Sequence, residues 1–207
     1  MSQINLVISA GQLGADLGAL EAARAHGIHT GGHAKVGTKT AEFLSKYGLK
    51  EEAKYDACDR ANADKLLEPN GLVVAFLMTK PLTGAGSQKT VNYALFGRYE
   101  VFSTLESQLT QDIARRGWVV KVGADLGTGE APKNGRRALI FYDMVGEHLD
   151  TEAAGNDIRD FLLGHPEITT LLVTGSCEDT YPGIQVAVKK ILTVALAPPQ
   201  ARVATSR

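Results

Sequence analysis

The chain predicts an α/β protein: a doubly wound, mainly parallel sheet with helices on both faces, carrying an inserted or divergent middle segment. Three observations lead there. Apolar runs at residues 4–9, 72–78 and 169–174 each pass through a turn of small and polar residues into a segment with helical spacing. The run at 72–78 has no polar break, as a central parallel strand covered on both faces requires. Strands and helices alternate along the sequence, the pattern that helical crossovers between parallel strands produce.

The elements follow in order. Residues 4–9 form the first buried strand. Residues 15–26 are helical, with Leu17, Leu20 and Ala23 on one apolar face and Gly27 placed to end the helix. Residues 28–32 are a short segment rich in glycine and histidine. Residues 40–47 read as a short amphipathic helix closed by Gly48, and residues 55–67 as a helix with Pro69 just beyond it. After the strand at 72–78 comes a second glycine turn, 82–88, and then a helix over 89–99. Leu105, Leu109 and Ile113 give 101–116 helical spacing, 118–122 and 138–142 are strand candidates, and 124–137 is a polar, glycine-rich loop. Residues 151–163 are helical, 169–174 a strand, 175–183 a loop and 184–196 a helix. Residues 1–197 are expected to form one domain, with 101–163 inserted or divergent and 198–207 a solvated or partner-binding tail.

Composition narrows the functional classes. The 207 residues suit one large domain and can bury a sizeable core, and 44% of them are hydrophobic, which is ordinary for a globular protein. A formal net charge of -1 gives no general pull toward nucleic acid or anionic membranes. No basic arm interleaves with aromatics as in single-strand binders. The two cysteines, Cys58 and Cys177, stand far apart and make neither a metal pair nor a disulfide framework. The first residues are strand-like rather than a signal peptide, and no apolar run reaches the ~20 residues of a membrane helix. A cytoplasmic protein, with no nucleic-acid or membrane partner, is the expectation.

Three strand-to-helix turns carry the candidate site. The first holds Ser9, Gly11, Gln12, Gly14 and Asp16; the second Thr83, Gly84, Gly86 and Ser87; the third Gly175, Ser176, Cys177, Glu178 and Asp179. Helix N-termini present unpaired N–H groups and partial positive charge, so they attract phosphate. Glycine permits positive φ and close approach by a ligand. In a doubly wound sheet the three turns share the carboxyl edge of the strands, where ligands collect. Each turn also has a plain reading as a tight connection and helix cap. Asp16 in a helix's first turn serves either the dipole or a ribose or base contact. Lys35 and Lys39 lie on a glycine-rich loop that is either solvated or folded over an anion. His26, His29 and His33 lack the i, i+4 spacing of a helical metal pair, and no metal is expected. Cys177 has no local histidine to activate it and reads as a small loop residue.

The first turn also carries a resemblance. Ile8-Ser-Ala-Gly-Gln-Leu-Gly-Ala-Asp16 and the helix that follows resemble the opening Ser-Gly-Gly-Gln-Thr-Gly-x-Asp-x-x-Ala-Leu of the putative molybdenum-cofactor carrier family. That family is Rossmann-like and is grouped with lysine-decarboxylase-like, "lonely guy" and DprA-like nucleotide-binding proteins. Gly31-Gly32, Tyr47 to Glu51, the helix at 55–62, the strand at 72–76, the loop at 82–87 and the segment from Thr174 to Val188 are similar in the same order. The match spans the first hundred residues and the last forty. It departs at Ala10, where the family has glycine, at Leu13, where it has threonine, at Leu17, often arginine, and at His33-Ala34, often Trp-Cys. Related phosphoribohydrolases carry Pro-Gly-Gly-x-Gly-Thr-x-x-Glu. Here residues 83–91 supply no glutamate at that spacing, so Asp16, Glu178 and Asp179 are the candidate acids.

The resemblance implies binding of a phosphorylated small molecule, a nucleotide, nucleotide-derived signal or molybdopterin-type cofactor. The ligand residues would be Ser9, Gly11, Gln12, Gly14, Asp16, Gly32, Lys35, Asn62, Thr83, Gly84, Gly86, Ser87, Gly175 and Ser176. Arg60 shares the helix of Asn62, which the family uses near its pocket. The resemblance also implies a homo-oligomer, a dimer formed by helix pairing as in that superfamily. Two alternatives stay open: a nucleotide hydrolase of phosphoribohydrolase type, cleaving an N-glycosidic or phosphoester bond with the three acids as its catalytic groups, and an assembly protein on a degenerate nucleotide-binding fold.

Overall fold

The uninterrupted apolar run is the middle of the molecule. In a computed structural model describing residues 3–66, 70–77, 85–96, 118–122, 137–142 and 149–198, it forms a strand at Gly71–Phe76 with every residue buried. Numbering in chain order, the strands are β1 (Leu6–Ile8), β2 (His29–Lys35), β3 (Leu49–Glu52), β4 (Gly71–Phe76), β5 (Trp118–Val122), β6 (Arg137–Tyr142) and β7 (Thr170–Gly175). The helices are α1 (Ala15–Ala25), α2 (Ala41–Tyr47), α3 (Tyr55–Asp64), α4 (Ala85–Phe96), α5 (Thr151–Leu163) and α6 (Ile184–Leu196).

The sheet runs β3-β2-β1-β7-β4-β6-β5. Six strands are parallel, and β5 closes one edge antiparallel to β6. This is the doubly wound α/β fold that the alternating pattern predicts. The first and last strands of the chain lie side by side, Val7 opposite Leu171, and β7 also pairs with β4 along its whole length. The point where the winding reverses therefore falls at β1, β7 and β4, and their carboxyl ends open a crevice there.

Side-chain alternation sorts the core into two layers. Leu72, Val74 and Phe76 join Val7, Leu171 and Val173 beneath α1, α5 and α6. Val73, Ala75 and Leu77 join Ile8, Ile140 and Leu172 beneath α3 and α4. A smaller cluster of Leu17, Leu20, Tyr47 and Leu49 seats α2 and β3. On the first face glycine sets the helix spacing. A Cβ on Gly18 of α1 would lie 2.4 Å from the Gln185 carbonyl of α6, and one on Gly155 of α5 would lie 2.6 Å from the Ile191 carbonyl.

Several boundaries differ from the sequence reading, each for a tertiary reason. The glycine–histidine segment is the start of β2, which continues to Lys35. Lys35 thus ends a strand rather than sitting on a loop, and its ammonium lies 4.8 Å from the Tyr55 ring. β3 has no counterpart in that reading: it is an edge strand of which only Leu49 is buried, and Lys50, Glu51 and Glu52 hide its pattern. α4 starts at Ala85, so Gly86 and Ser87 belong to its first turn rather than to the turn before it. α2 is as read, with the Thr40 hydroxyl accepting from the Phe43 amide and Gly48 left-handed at φ 65°. The expected helix over 101–116, the loop at 124–136, the tail from 199, and Thr83 and Gly84 lie outside the described residues.

The crossing of α1 and α6 gives a stability prediction. Gly18→Val is expected to cost roughly 1–3 kcal/mol, because the clash is with backbone that cannot rotate away. A lowered Tm in a calorimetric or circular-dichroism melt checks it; an unchanged Tm would mean that the helices can part freely.

Candidate functional site

A cleft of about 310 Å³ opens at the carboxyl ends of β1, β7 and β4. Gln12 and Asp16 line it from the first turn, Asp59 and Asn62 from α3, and Gly86, Ser87 and Thr90 from the start of α4. Gly175, Ser176, Cys177, Thr180 and Tyr181 come from the third turn, and Leu77 from the end of β4. The first and third turns thus line one cleft together with the start of α4, while Thr83 and Gly84 of the second turn lie outside the described residues.

Most of the glycines serve the chain rather than the cleft. Gly14, at φ 118°, is wedged against the third turn: a Cβ would lie 2.5 Å from the Ser176 carbonyl and 2.8 Å from Cys177 Cα. The same junction is closed by Ala15 N–H to Ser176 O at 3.1 Å and Glu178 N–H to Leu13 O at 3.0 Å. A Cβ on Gly32 would lie 1.9 Å from the Ser9 carbonyl, and one on Gly175 2.2 Å from the Phe76 carbonyl. Gly11 faces Leu49 and Phe43 and does not line the cleft. Gly86 alone of the candidate ligand glycines among the described residues has open space, with nothing within 4 Å of its Cβ position.

The candidate acids separate cleanly. Glu178 is spent on α6: Oε1 accepts from the Gly183 amide at 2.6 Å and Oε2 from the Gln185 amide at 2.8 Å, so the N-terminus of α6 is filled by its own chain. Asp179 is exposed and lies off the cleft. Asp16 is only 7% exposed and faces the cleft. Burial pushes its carboxyl up to about 7, against a Gln12 backbone hydrogen bond that favours the ionised form; the charge of Asp59 adds to the rise, and Lys39 opposes it. Ser9 lies beneath. Its hydroxyl is close enough to Asp16 to favour the carboxylate slightly, but no group among the described residues meets hydrogen-bond geometry with Oγ.

Asp59 is the acid the sequence reading missed. It sits three residues before Asn62, so both project from one face of α3, whereas Arg60 turns away to place its guanidinium 5.1 Å from the Tyr93 ring. That i, i+3 spacing was the available signal. Burial raises the Asp59 carboxyl to about 6, against a hydrogen bond from Thr90 Oγ1 at 3.0 Å that favours the carboxylate. Asn62 itself is occupied: its Oδ1 accepts from the His33 amide at 2.7 Å and its Nδ2 donates to the His33 carbonyl at 3.2 Å, which fixes β2. Ser87 Oγ donates to the Gly175 carbonyl at 2.9 Å and locks the start of α4 onto β7. Cys177 Sγ and Thr180 Oγ1 share a hydrogen bond at 3.0 Å. Lys39 stands outside the cleft lining with its Nζ 5.1 Å from the Phe43 ring centroid; burial lowers its pKa, and Asp16 opposes that shift.

A carboxyl whose folded pKa is raised binds a proton more tightly folded than unfolded. The Asp16 contribution is therefore full below its unfolded pKa near 4 and is lost as pH rises toward about 7. Asp16→Asn is expected to raise Tm at pH 8, by the equivalent of roughly a few kcal/mol at most, and to leave stability at pH 4 nearly unchanged. Melts of both proteins from pH 4 to 8 test this; parallel pH curves would contradict it.

Known proteins place the fold and the family. No curated protein matches the chain. The crystal structure, at 1.45 Å, of a putative molybdenum carrier protein from Syntrophus aciditrophicus SB is similar, with a TM-score of 0.59 and 20% sequence identity over 95% of this chain and 97% of that one. The fold is thus shared along nearly the whole length, β5 and β6 belonging to the same sheet and α5 to the same core. Among the described residues, no helix is long and apolar enough to cross a membrane. The resemblance read from the first turn is borne out, for residues 7–123, more than half of the sequence, match the circularly permutated YpsA SLOG family, and the chain belongs to it.

Proposed function

We propose that the cleft binds a phosphorylated nucleotide-type small molecule. The observation that carries this is the open first turn of α4 at Gly86, which faces a cleft at the point where the sheet winding reverses. A helix N-terminus there offers backbone N–H groups and partial positive charge to a phosphate. The corresponding end of α6 is occupied by Glu178 and so is closed to a ligand anion. Tyr181 and Leu77 supply apolar surface for a flat heterocycle, while Gln12, Thr90 and Thr180 supply polar contacts for a sugar. A pterin phosphate has the same parts, a flat ring and a terminal phosphate, and suits the same lining.

The choice of glycine makes the test specific. Gly86→Leu points into open space within a helix, so Tm should hold or rise slightly. Binding to a panel of nucleoside mono-, di- and triphosphates and a phosphorylated pterin, measured calorimetrically, should weaken at least roughly tenfold, or ~1.4 kcal/mol. Gly14→Ala, at positive φ and against backbone, should instead lower Tm. Unchanged affinity in Gly86→Leu would move the ligand out of this cleft.

A second reading, a nucleotide hydrolase, is favoured by one observation. Two carboxyls with pKa values raised toward neutrality face the same cleft, an arrangement suited to general acid–base work near pH 7. In cleavage of an N-glycosidic bond, one carboxyl would protonate the departing base while the other took a proton from the attacking water. Product release from the nucleotide panel, followed chromatographically, should then appear in the native protein and fall by about 10²-fold or more in Asp16→Asn. Absence of product from every nucleotide would leave binding alone.

A further inference from the structure

We propose that the ligand carries a second anionic group, apart from the phosphate set at the start of α4, and that Lys39 binds it on the β2 side of the cleft. This rests on the nucleotide reading above and narrows the ligand to a nucleotide phosphorylated at two separate positions.

Lys39 is built into the rim rather than trailing from it. Its loop joins β2 to α2 and is pinned along its length. The Val36 amide donates to the Glu52 carbonyl at 2.9 Å, and the Gly37 amide to Glu51 Oε1 at 3.0 Å. The Thr38 hydroxyl donates to the Lys35 carbonyl at 2.6 Å, and Thr40 caps α2. The half-buried Lys39 side chain rests its ammonium 5.1 Å from the Phe43 ring centroid, a cation–π arrangement. Phe43 in turn packs on the first turn: a Cβ on Gly11 would lie 3.2 Å from its Cε1, and the next residue, Gln12, lines the cleft. The ammonium is thereby held beside the first turn, near enough for the charges of Lys39 and Asp16 to act on each other.

What this ammonium lacks is an anion in contact. Among the described residues it forms no ion pair, whereas Lys89 pairs with Asp56 at 2.6 Å and Lys189 with Glu21 at 3.0 Å. Taking a cation partly out of water without such a partner disfavours its charged form, and burial does lower the Lys39 pKa. A ligand anion would restore the favourable contact that burial removes.

Strand order separates Lys39 from the start of α4. The Lys39 loop follows β2 and α4 follows β4, three strand spacings away across β1 and β7. At ~4.8 Å per spacing the strands lie roughly 14 Å apart. A single phosphate reaches donors on either side through hydrogen bonds of about 3 Å and cannot bridge that gap. Phosphates at two positions of one ribose, each with its own donor, can.

The experiment compares adenosine 5′-monophosphate with adenosine 3′,5′-bisphosphate, each titrated calorimetrically into the full chain. Lys46 is the control, an exposed lysine 5.1 Å from the Tyr47 ring at the far end of α2. The native chain should bind the bisphosphate at least about tenfold more tightly than the monophosphate. Lys39→Ala should abolish that difference and leave monophosphate affinity unchanged. Lys39→Arg should retain it, and Lys46→Ala should behave as the native chain. Melting curves confirm folding, and Lys39→Gln, which keeps part of the aliphatic stem, repeats the test if the alanine variant melts early. Equal affinity of the native chain for both probes, or a difference that survives Lys39→Ala, would overturn the second anion site and leave the nucleotide reading standing. Loss of both probes alike in a folded Lys39→Ala would put Lys39 on the first phosphate and overturn the inference too. Absence of binding by either probe would overturn both.

Discussion

The architecture depends on one close approach: the first turn of the chain pressed directly against the last. Gly14 meets the Ser176 carbonyl, Ala15 and Glu178 exchange backbone hydrogen bonds with the opposite turn, and Gly175 sits on the Phe76 carbonyl. No side chain fits between these segments, and β1, β7 and β4 lie as immediate neighbours, β7 and β4 ending together at Gly175 and Phe76. Everything at the cleft follows from that contact. α1, the start of α4 and the third turn surround one opening, and β7, from the end of the sequence, lies between two strands from its first half. Because the first and last strands are sheet neighbours, a chain of this architecture can be opened at one place and joined at another without altering the sheet, which accords with a circularly permuted family.

The glycines show why a small residue at a turn cannot be equated with a ligand contact. Gly14 and Gly175 sit at the carboxyl ends of β1 and β7, and Gly32 lies in β2 beside the end of β1. Each is required there because another backbone segment occupies the space where a Cβ would go. Gly86 differs in having open space in front of it. The distinction is one of neighbours, not of local conformation, and neighbours are fixed only when the sheet is assembled.

The acids divide by the same logic. Glu178 and Asp179 are adjacent in sequence, yet one carboxylate fills the N-terminus of α6 and the other faces away from the cleft. Asp16 and Asp59 lie more than forty residues apart, yet they share an environment that raises both pKa values. Stability is given up to keep them there, since a buried carboxyl near neutral pKa resists ionising. Both groups line the cleft rather than the closed core.

By itself the sequence determined the α/β class, the parallel winding and most element positions, because these depend on apolar periodicity and local turn chemistry, which are carried by neighbouring residues. The run ending at Phe76, the Thr40 cap and the helix after Ser9 are all legible in that way. It also carried the family, through the turn from Ile8 to Asp16. The tertiary structure alone decided that β7 lies between β1 and β4, that β3 is a strand despite its charges, and which acids face the cleft. Strand order is a long-range packing outcome, β3 is stabilised by pairing with β2 rather than by its own pattern, and the field at a carboxyl is set by whatever the fold places around it.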